Sequence, residues 1–368
     1  MRVAFVLGTT SGGTGRYVRM LVEGLVRRGH RVLVAGPRSV EEQFSFASAG
    51  GRFAEIAVSV RPHPLNDLRA VLAIRRLIRD ADVVHAHGHR AGALAALACG
   101  PRLTRRTRGG RALVVTLHNA LTAGGLIGFV HGVLERIVAW RADHVLVVSP
   151  DLGARMRELG ARDVRPAVVA APLLRPAKRA AAEVRAELGA GDRPVLLTVA
   201  RLAQQKGLES LLDASRGPWH GETPLFVVAG EGPARPYLER RIEDERLPVL
   251  LLGNRDDVPD LLAAATAVVW PSRWEGQPLS LSETLKAGRP VIATAVGGVP
   301  DLLGGAGVLV PYGDAEALRA AVREVAGGAG AAEKLAEASA RRGTELPGAD
   351  EALESVLDVY GVHSRLRD

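Results

Sequence analysis

Short runs of Val, Leu and Ala alternate along this chain with longer segments in which apolar residues return every three or four positions. Runs at about 2–7, 31–35, 56–60, 82–87, 112–117 and 143–148 are continuous rather than alternating, the pattern of strands covered on both faces. Strands that take turns with helical segments predict a parallel, doubly wound α/β sheet. The rhythm breaks where Pro166, Pro172 and Pro176 punctuate a stretch leading into the basic, Ala-rich segment 177–188. It restarts near Pro194, with strands expected at about 195–199, 225–229, 249–252, 267–270, 290–293 and 307–310. The expected organisation is a Rossmann-like domain over 1–172, a linker over 173–192 and a second Rossmann-like domain over 193–346. A last amphipathic pattern from Asp350 to Tyr360, beyond Gly327-Gly328-Ala329-Gly330, predicts a terminal helix.

The chemistry concentrates where strands end. After Ala267-Val268-Val269-Trp270 comes Trp274-Glu275-Gly276-Gln277-Pro278-Leu279-Ser280-Leu281-Ser282-Glu283. Pro278 suits the first turn of a helix, where its missing N–H costs nothing, so Glu275 stays in the loop and Glu283 lies more than a turn inside. The free N–H groups and positive dipole end of that terminus can hold a diphosphate, and the two carboxylates can accept hydrogen bonds from hydroxyls on either side of it. This is the pattern of a sugar-nucleotide site. A second strand, Val195 to Ala200, is followed by Arg201 and by Lys206-Gly207. The chain has only four lysines, Lys178, Lys206, Lys286 and Lys334, which makes the one at 206 more telling. A guanidinium grips two oxygens and an ammonium acts as a point charge, so together they can neutralise a departing nucleoside diphosphate.

Two other constellations admit a competing chemistry. Gly12-Gly13-Thr14-Gly15 follows the first strand and suits pyrophosphate, but its spacing is not the dinucleotide fingerprint. Val34-Ala35-Gly36-Pro37-Arg38 at the end of the second strand offers no acid for a ribose, which argues against a nicotinamide-dependent oxidoreductase. His85, His87 and His89 alternate at strand spacing, as three metal ligands on one face would. Gly88 ends that strand before His89, and no Asp or Glu follows closely, so no metal is expected.

Taken in order, these segments resemble the retaining glycosyltransferases of family 4, with the two-domain GT-B architecture. The resemblance runs nearly end to end through Gly12-Gly13, Gly29-His30-Arg31-Val32, Asp82 to His87, Thr116-Leu117-His118, Ala142-Asp143 through Ser149, Arg201 with Lys206-Gly207, Gly230-Glu231-Gly232-Pro233, Glu275 to Glu283, and Gly297-Gly298-Val299-Pro300. It implies two sheet domains facing a cleft, with the acceptor in the first, the nucleotide donor in the second, and helix 349–363 packing back on the first. By the resemblance, Glu283 binds the ribose hydroxyls, Glu275 hydroxyls of the donor sugar, and Arg201 and Lys206 the diphosphate. Gly276, Gln277, Pro278, Leu279 and Ser280 form the donor loop and helix terminus, with Gly230, Gly297 and Gly298 giving backbone access. His118 stands beside the reacting sugar, and Gly12, Gly13, Thr14 and His87 line the acceptor and phosphate loop. The implied reaction moves a hexosyl-type sugar from a nucleotide diphosphate sugar of UDP, GDP or ADP type to a hydroxyl of a glycan, lipid-linked glycoside or natural product. Retention of configuration, no metal and no cofactor beyond the co-substrate are implied. A GT-B epimerase or hydrolase is the enzymatic alternative. Asp301 stands where Glu commonly follows Gly-Gly-x-Pro, and Gln277 where an aromatic or aliphatic residue is usual, which leaves the donor's base and sugar open.

Composition narrows the setting. At 368 residues and 47% hydrophobic, the chain can bury two cores. Its N-terminus enters a strand directly, without a signal-peptide layout, so a cytoplasmic protein is expected. The single Cys99 excludes an internal disulfide. Net charge is +8, with a dense run Arg102, Arg105, Arg106, Arg108 and Arg111. That run is read as a solvated loop, with peripheral contact to an anionic membrane face as its functional alternative. A nucleic-acid-binding protein is the competing class, but 4% aromatic residues leave little for base stacking, and no nucleic acid is expected.

Overall fold

Buried parallel strands must satisfy their backbone through neighbours on both sides, and in this computed structural model two sheets do so. Residues 1–10, 12–58, 64–101, 111–120, 125–173, 175–219, 221–327 and 329–365 are described. The first sheet contains β1 (Arg2–Leu7), β2 (Arg31–Gly36), β3 (Arg52–Glu55), β4 (Val83–His87), β5 (Ala112–Leu117), β6 (His144–Val147) and β7 (Val164–Pro166), in the order β3-β2-β1-β4-β5-β6-β7. The second contains β8 (Val195–Val199), β9 (Leu225–Ala229), β10 (Val249–Gly253), β11 (Ala267–Trp270), β12 (Val291–Thr294) and β13 (Val308–Val310), in the order β10-β9-β8-β11-β12-β13. All paired strands are parallel.

Side chains of the second sheet alternate between two cores. Val195, Leu197, Val227, Val268, Trp270 and Val291 enter one, while Leu196, Phe226, Val228, Val269 and Ile292 enter the other. Helices cover both faces, which is why these strands read as unbroken apolar runs. In each sheet the strand order reverses once, between β1 and β4 and between β8 and β11. Loops leaving the carboxyl ends of such neighbours diverge and open a crevice for ligands.

Two expectations need correction, and one strand is added to them. The strand expected at 56–60 is instead β3 at Arg52–Glu55, pairing Leu33 with Arg52 through Gly36 with Glu55. The buried Ile56 and Val58 follow it, so the apolar signal lies just past the pairing. Strand β7 was not foreseen; it has three residues at a sheet edge, where Pro166 is tolerated. The segment 173–192 contains a helix, Ala181–Glu187, and is held to the second domain. Asp260 Oδ1 accepts from the backbone N–H of Lys178 and Arg179, and Lys286 Nζ donates to the carbonyls of Ala171 and Pro172.

The chain divides into one unit of residues 1–170 with 347–368 and another of residues 171–346. In the first, the terminal helix Ala349–Arg365 packs on the helix Gly13–Arg27. A Cβ at Gly24 would come 2.6 Å from Leu353 Cδ2, and Arg28 pairs with Glu354 beside that contact. Among the described residues no helix is long and apolar enough to cross a membrane.

Candidate active site

In the second unit, loops from β8, β11 and β12 meet around one carboxylate. Beyond β8 the chain makes a 3-10 turn, Gln204–Lys206, and Gly207 takes a left-handed conformation at φ 58°. A Cβ there would stand 2.1 Å from the Pro271 carbonyl oxygen, so only glycine lets this turn lie against the loop after β11. Two bonds join the loops: Arg273 N donates to Gln205 O at 2.9 Å, and Gln205 Nε2 to Trp274 O at 3.0 Å. Lys206 Nζ is thereby brought to 2.6 Å from Glu275 Oε1. Ser272 Oγ donates to the same oxygen at 2.7 Å. Glu275 is only 5% exposed, so its charge is carried by these donors rather than by water.

The loop after β12 closes the other side. Gly297, at φ 54°, has its Cα so near the Glu275 carbonyl that a Cβ would lie 1.9 Å from that oxygen, and Gly298 N donates to the same carbonyl at 3.0 Å. Thr294 Oγ1 holds the Ser272 carbonyl at 2.6 Å. The two glycines therefore support the Glu275 loop. The helix Leu279–Lys286 begins one residue later than expected, with Pro278 as its cap at φ −70°. Leu281 and Ser282 N–H groups return to the Pro278 carbonyl, leaving those of Leu279 and Ser280 without an intrahelical acceptor. Glu283, half-buried, is the fifth residue of that helix.

Arg201 and Lys206 differ in a way their spacing did not show. Lys206 is committed to Glu275, whereas Arg201 is exposed and its guanidinium has no partner among the described residues. Gly230 donates its N–H to Gly253 O at 2.7 Å, and its Cα abuts the Ala200 carbonyl, so it shapes the strand ends beneath Arg201. Ser272 is the functional candidate that sequence reasoning missed. A lone serine three residues before an acid carries no pattern.

The first unit gathers a second polar set at the β1–β4 reversal. Gly12 caps the helix Gly13–Arg27 at φ 67°, and Gly13 and Thr14 form its first turn. One turn on, the buried Tyr17 lies edge-on to the rings of His87 and His118, 6.1 and 5.9 Å between centroids. His87 Nδ1 and His118 Nε2 are 2.9 Å apart. His85 stacks on His87 at 4.3 Å and bonds Tyr360 Oη through Nδ1 and Thr116 Oγ1 through Nε2, both at 2.7 Å. Burial pushes the His85 imidazole down to about 3 and His118 to about 4, and holds His87 well below the usual value. All three rings are neutral at pH 7. His89 leaves the strand to begin the helix His89–Cys99, where it faces Glu135 at 3.6 Å. Arg102, Arg105, Arg106 and Arg108 lie outside the described residues; Arg111 donates to the carbonyls of Arg79 and Ala81.

Two doubly wound parallel sheets, each carrying its polar loops at the carboxyl ends of its strands, define the GT-B class of fold. Residues 12–172 match the glycosyl transferase 4-like domain, and residues 193–327 the glycosyl transferases group 1 family. The chain is 30% identical over 339 residues to the alpha-D-kanosaminyltransferase of Streptomyces kanamyceticus, covering 80% of this chain and 85% of that protein. It is 28% identical to a GDP-mannose-dependent phosphatidylinositol monomannoside mannosyltransferase of Mycolicibacterium smegmatis, with 85% of each covered. The fold matches that of Anabaena HepE in complex with UDP-glucose, with a TM-score of 0.80 at 19% identity over 98% of this chain and 100% of that one. The chain belongs to the GT-B glycosyltransferases of the group 1, family 4 type.

Proposed function

We propose that the protein transfers a hexosyl-type sugar from a nucleotide diphosphate sugar to an acceptor hydroxyl, with retention of configuration and without a metal. The observation that carries this reading is the Lys206–Glu275 pair beside the free N–H groups of the helix Leu279–Lys286. It brings a cation, hydrogen-bond donors and a hydroxyl acceptor together at one loop-to-helix junction and the turn bonded to it. Arg201 and the N–H groups of Leu279 and Ser280 take the diphosphate, with Lys206 reaching it from its place on Glu275. Glu275 accepts from donor-sugar hydroxyls and Glu283 from the ribose. Gly276 and Gln277 complete the loop. His118 serves the reacting sugar, and Gly12, Gly13 and Thr14 the acceptor side. With no side chain among the described residues read as a covalent nucleophile, the acceptor attacks on the face that the phosphate leaves. The relatives' names attach GDP-mannose to one and UDP-glucose to another. What carries over to this chain is their shared part, a nucleoside diphosphate joined to a hexose.

A donor and acceptor screen run in excess EDTA, with the product followed by NMR, tests the reaction. The anomeric configuration of the product is expected to equal that of the donor. An inverted product, or activity lost to EDTA and restored by one divalent ion, contradicts the proposal. Calorimetry tests the site separately: Glu283→Ala should weaken binding of the free nucleoside diphosphate by about 1.5–3 kcal/mol, the worth of a hydrogen bond to a charged group. Binding equal to wild type would remove the ribose role from Glu283.

A further inference from the structure

His118 enters the proposed reaction through the sugar, and the structure restricts what it can do there. Its ring and that of His87 are both neutral, so each carries one N–H. The 2.9 Å bond between His87 Nδ1 and His118 Nε2 needs one donor and one acceptor. If His118 donates, the His87 proton must sit on Nε2, an atom that is buried without a partner. If His87 donates from Nδ1, the same buried Nε2 is only a lone pair. Orphaned buried N–H groups are rare, whereas acceptors left short are commoner, which favours the second arrangement. Stacking against His85 and the edge-on Tyr17 hold the His87 ring in place for it.

We propose that His87 is a positioning residue that sets the tautomer of His118: its Nδ1–H donates to His118 Nε2, so that His118 carries its proton on Nδ1 and presents a donor, not a base, to a substrate oxygen. This rests on the assignment of His118 to the sugar. His118 Nδ1 is suited to that use, because it takes no partner among the described residues and is not one of the buried orphan atoms. Neither ring changes charge in the reaction. His118 supplies one oriented hydrogen bond to an oxygen that gains negative charge, such as the one leaving with the phosphate or a sugar hydroxyl polarised by it. His85 contributes by stacking alone, since both of its nitrogens are engaged by Tyr360 and Thr116.

The tautomers can be read without substrate. In the full chain labelled with 15N-histidine, long-range 1H–15N spectra assigned through the signals lost in His87→Asn and His118→Asn should show both rings protonated on Nδ1 and bare on Nε2. Either ring found with its proton on Nε2 overturns the proposal. Steady-state rates supply the functional arm. His87→Leu should lower kcat by roughly tenfold to a hundredfold with KM for the donor nearly unchanged, the scale on which an orienting partner acts. His87→Asn, which keeps an N–H near the position of Nδ1, should recover most of it. If His118→Ala lowers the rate but His87→Leu does not, the positioning role is wrong and the sugar assignment stands. If His118→Ala turns over like wild type, the sugar assignment itself fails.

Discussion

Lys206→Met is expected to destabilise the second unit by about 3 kcal/mol and to reduce turnover at least a hundredfold, whereas adding Glu275→Gln should restore the stability without restoring the turnover. The reason is the burial of the pair. With Lys206 removed, the Glu275 carboxylate, 5% exposed in the native chain, keeps only Ser272 among the described residues, so a charge is left in a poor solvent. Breaking a buried pair from one side costs about 3–5 kcal/mol, while neutralising both sides is close to free. Glu275→Gln alone should cost less, because the Lys206 ammonium is 22% exposed and can reach water. For catalysis the two losses do not compensate. In the proposed reaction one removes positive charge from the leaving diphosphate and the other an acceptor for the sugar, and each would act on the transition state. The single loss at Glu275 should leave binding of free nucleoside diphosphate intact, since that ligand lacks the sugar. Urea unfolding of the four proteins and their steady-state rates provide the measurement. Additive stability losses in the double variant would show that the two side chains are not coupled and would remove the basis for the site.

A loss of stability of roughly 3 kcal/mol is expected between pH 6.5 and pH 5 from His85 and His87, with His118 and His89 adding to it in the same direction. Both are buried, and burial holds both below the ordinary histidine value. The unfolded chain takes up protons below about pH 6.5 while the folded chain does not, so stability is full above that value and falls as the pH drops towards the folded value, about 3 for His85. Each ring's contribution approaches about 1.4 kcal/mol per pH unit once its unfolded form is mostly protonated. The groups that face them do not compensate. Tyr17 and Tyr360 are pushed up by burial and stay neutral, Thr116 and Phe5 do not titrate, and His118 is itself lowered to about 4. Carboxylates held low by arginines, such as Asp163 beside Arg165, lose their contribution only under more acid conditions. Denaturant midpoints at pH 7.5, 6.5 and 5 should follow this slope, and His85→Gln should flatten it by about one proton. A midpoint unchanged between pH 6.5 and 5 would mean that these rings are hydrated or charged in the folded protein.

Much of the local structure around the proposed donor site was legible because its signals are local. The junction from Glu275 through Pro278 to Glu283 encodes a loop, a helix start and a carboxylate beyond the first turn by residue type alone. The central strands were legible for a related reason: β5 and β11 are buried along their whole length, and burial on both faces leaves an unbroken apolar run. The edges were not. In β3 two of the four residues are exposed, and β7 has only three residues, so their existence depends on the neighbour that pairs with them.

The amino-acid sequence by itself determined which segments become buried strands and which helix end can meet an anion, since hydrophobic periodicity and proline act within a few residues. Only the tertiary structure decided who meets whom. Lys206 and Glu275 are 69 positions apart, and they pair because β8 and β11 are neighbours at the reversal of strand order. His85 and Tyr360 are 275 apart, joined because the terminal helix lies on the first unit. Sequence placed Arg201 and Lys206 in one role, but packing leaves the first exposed and commits the second to a carboxylate. A side chain's type and burial are written in local pattern, whereas its partner is set by the order in which strands join the sheet.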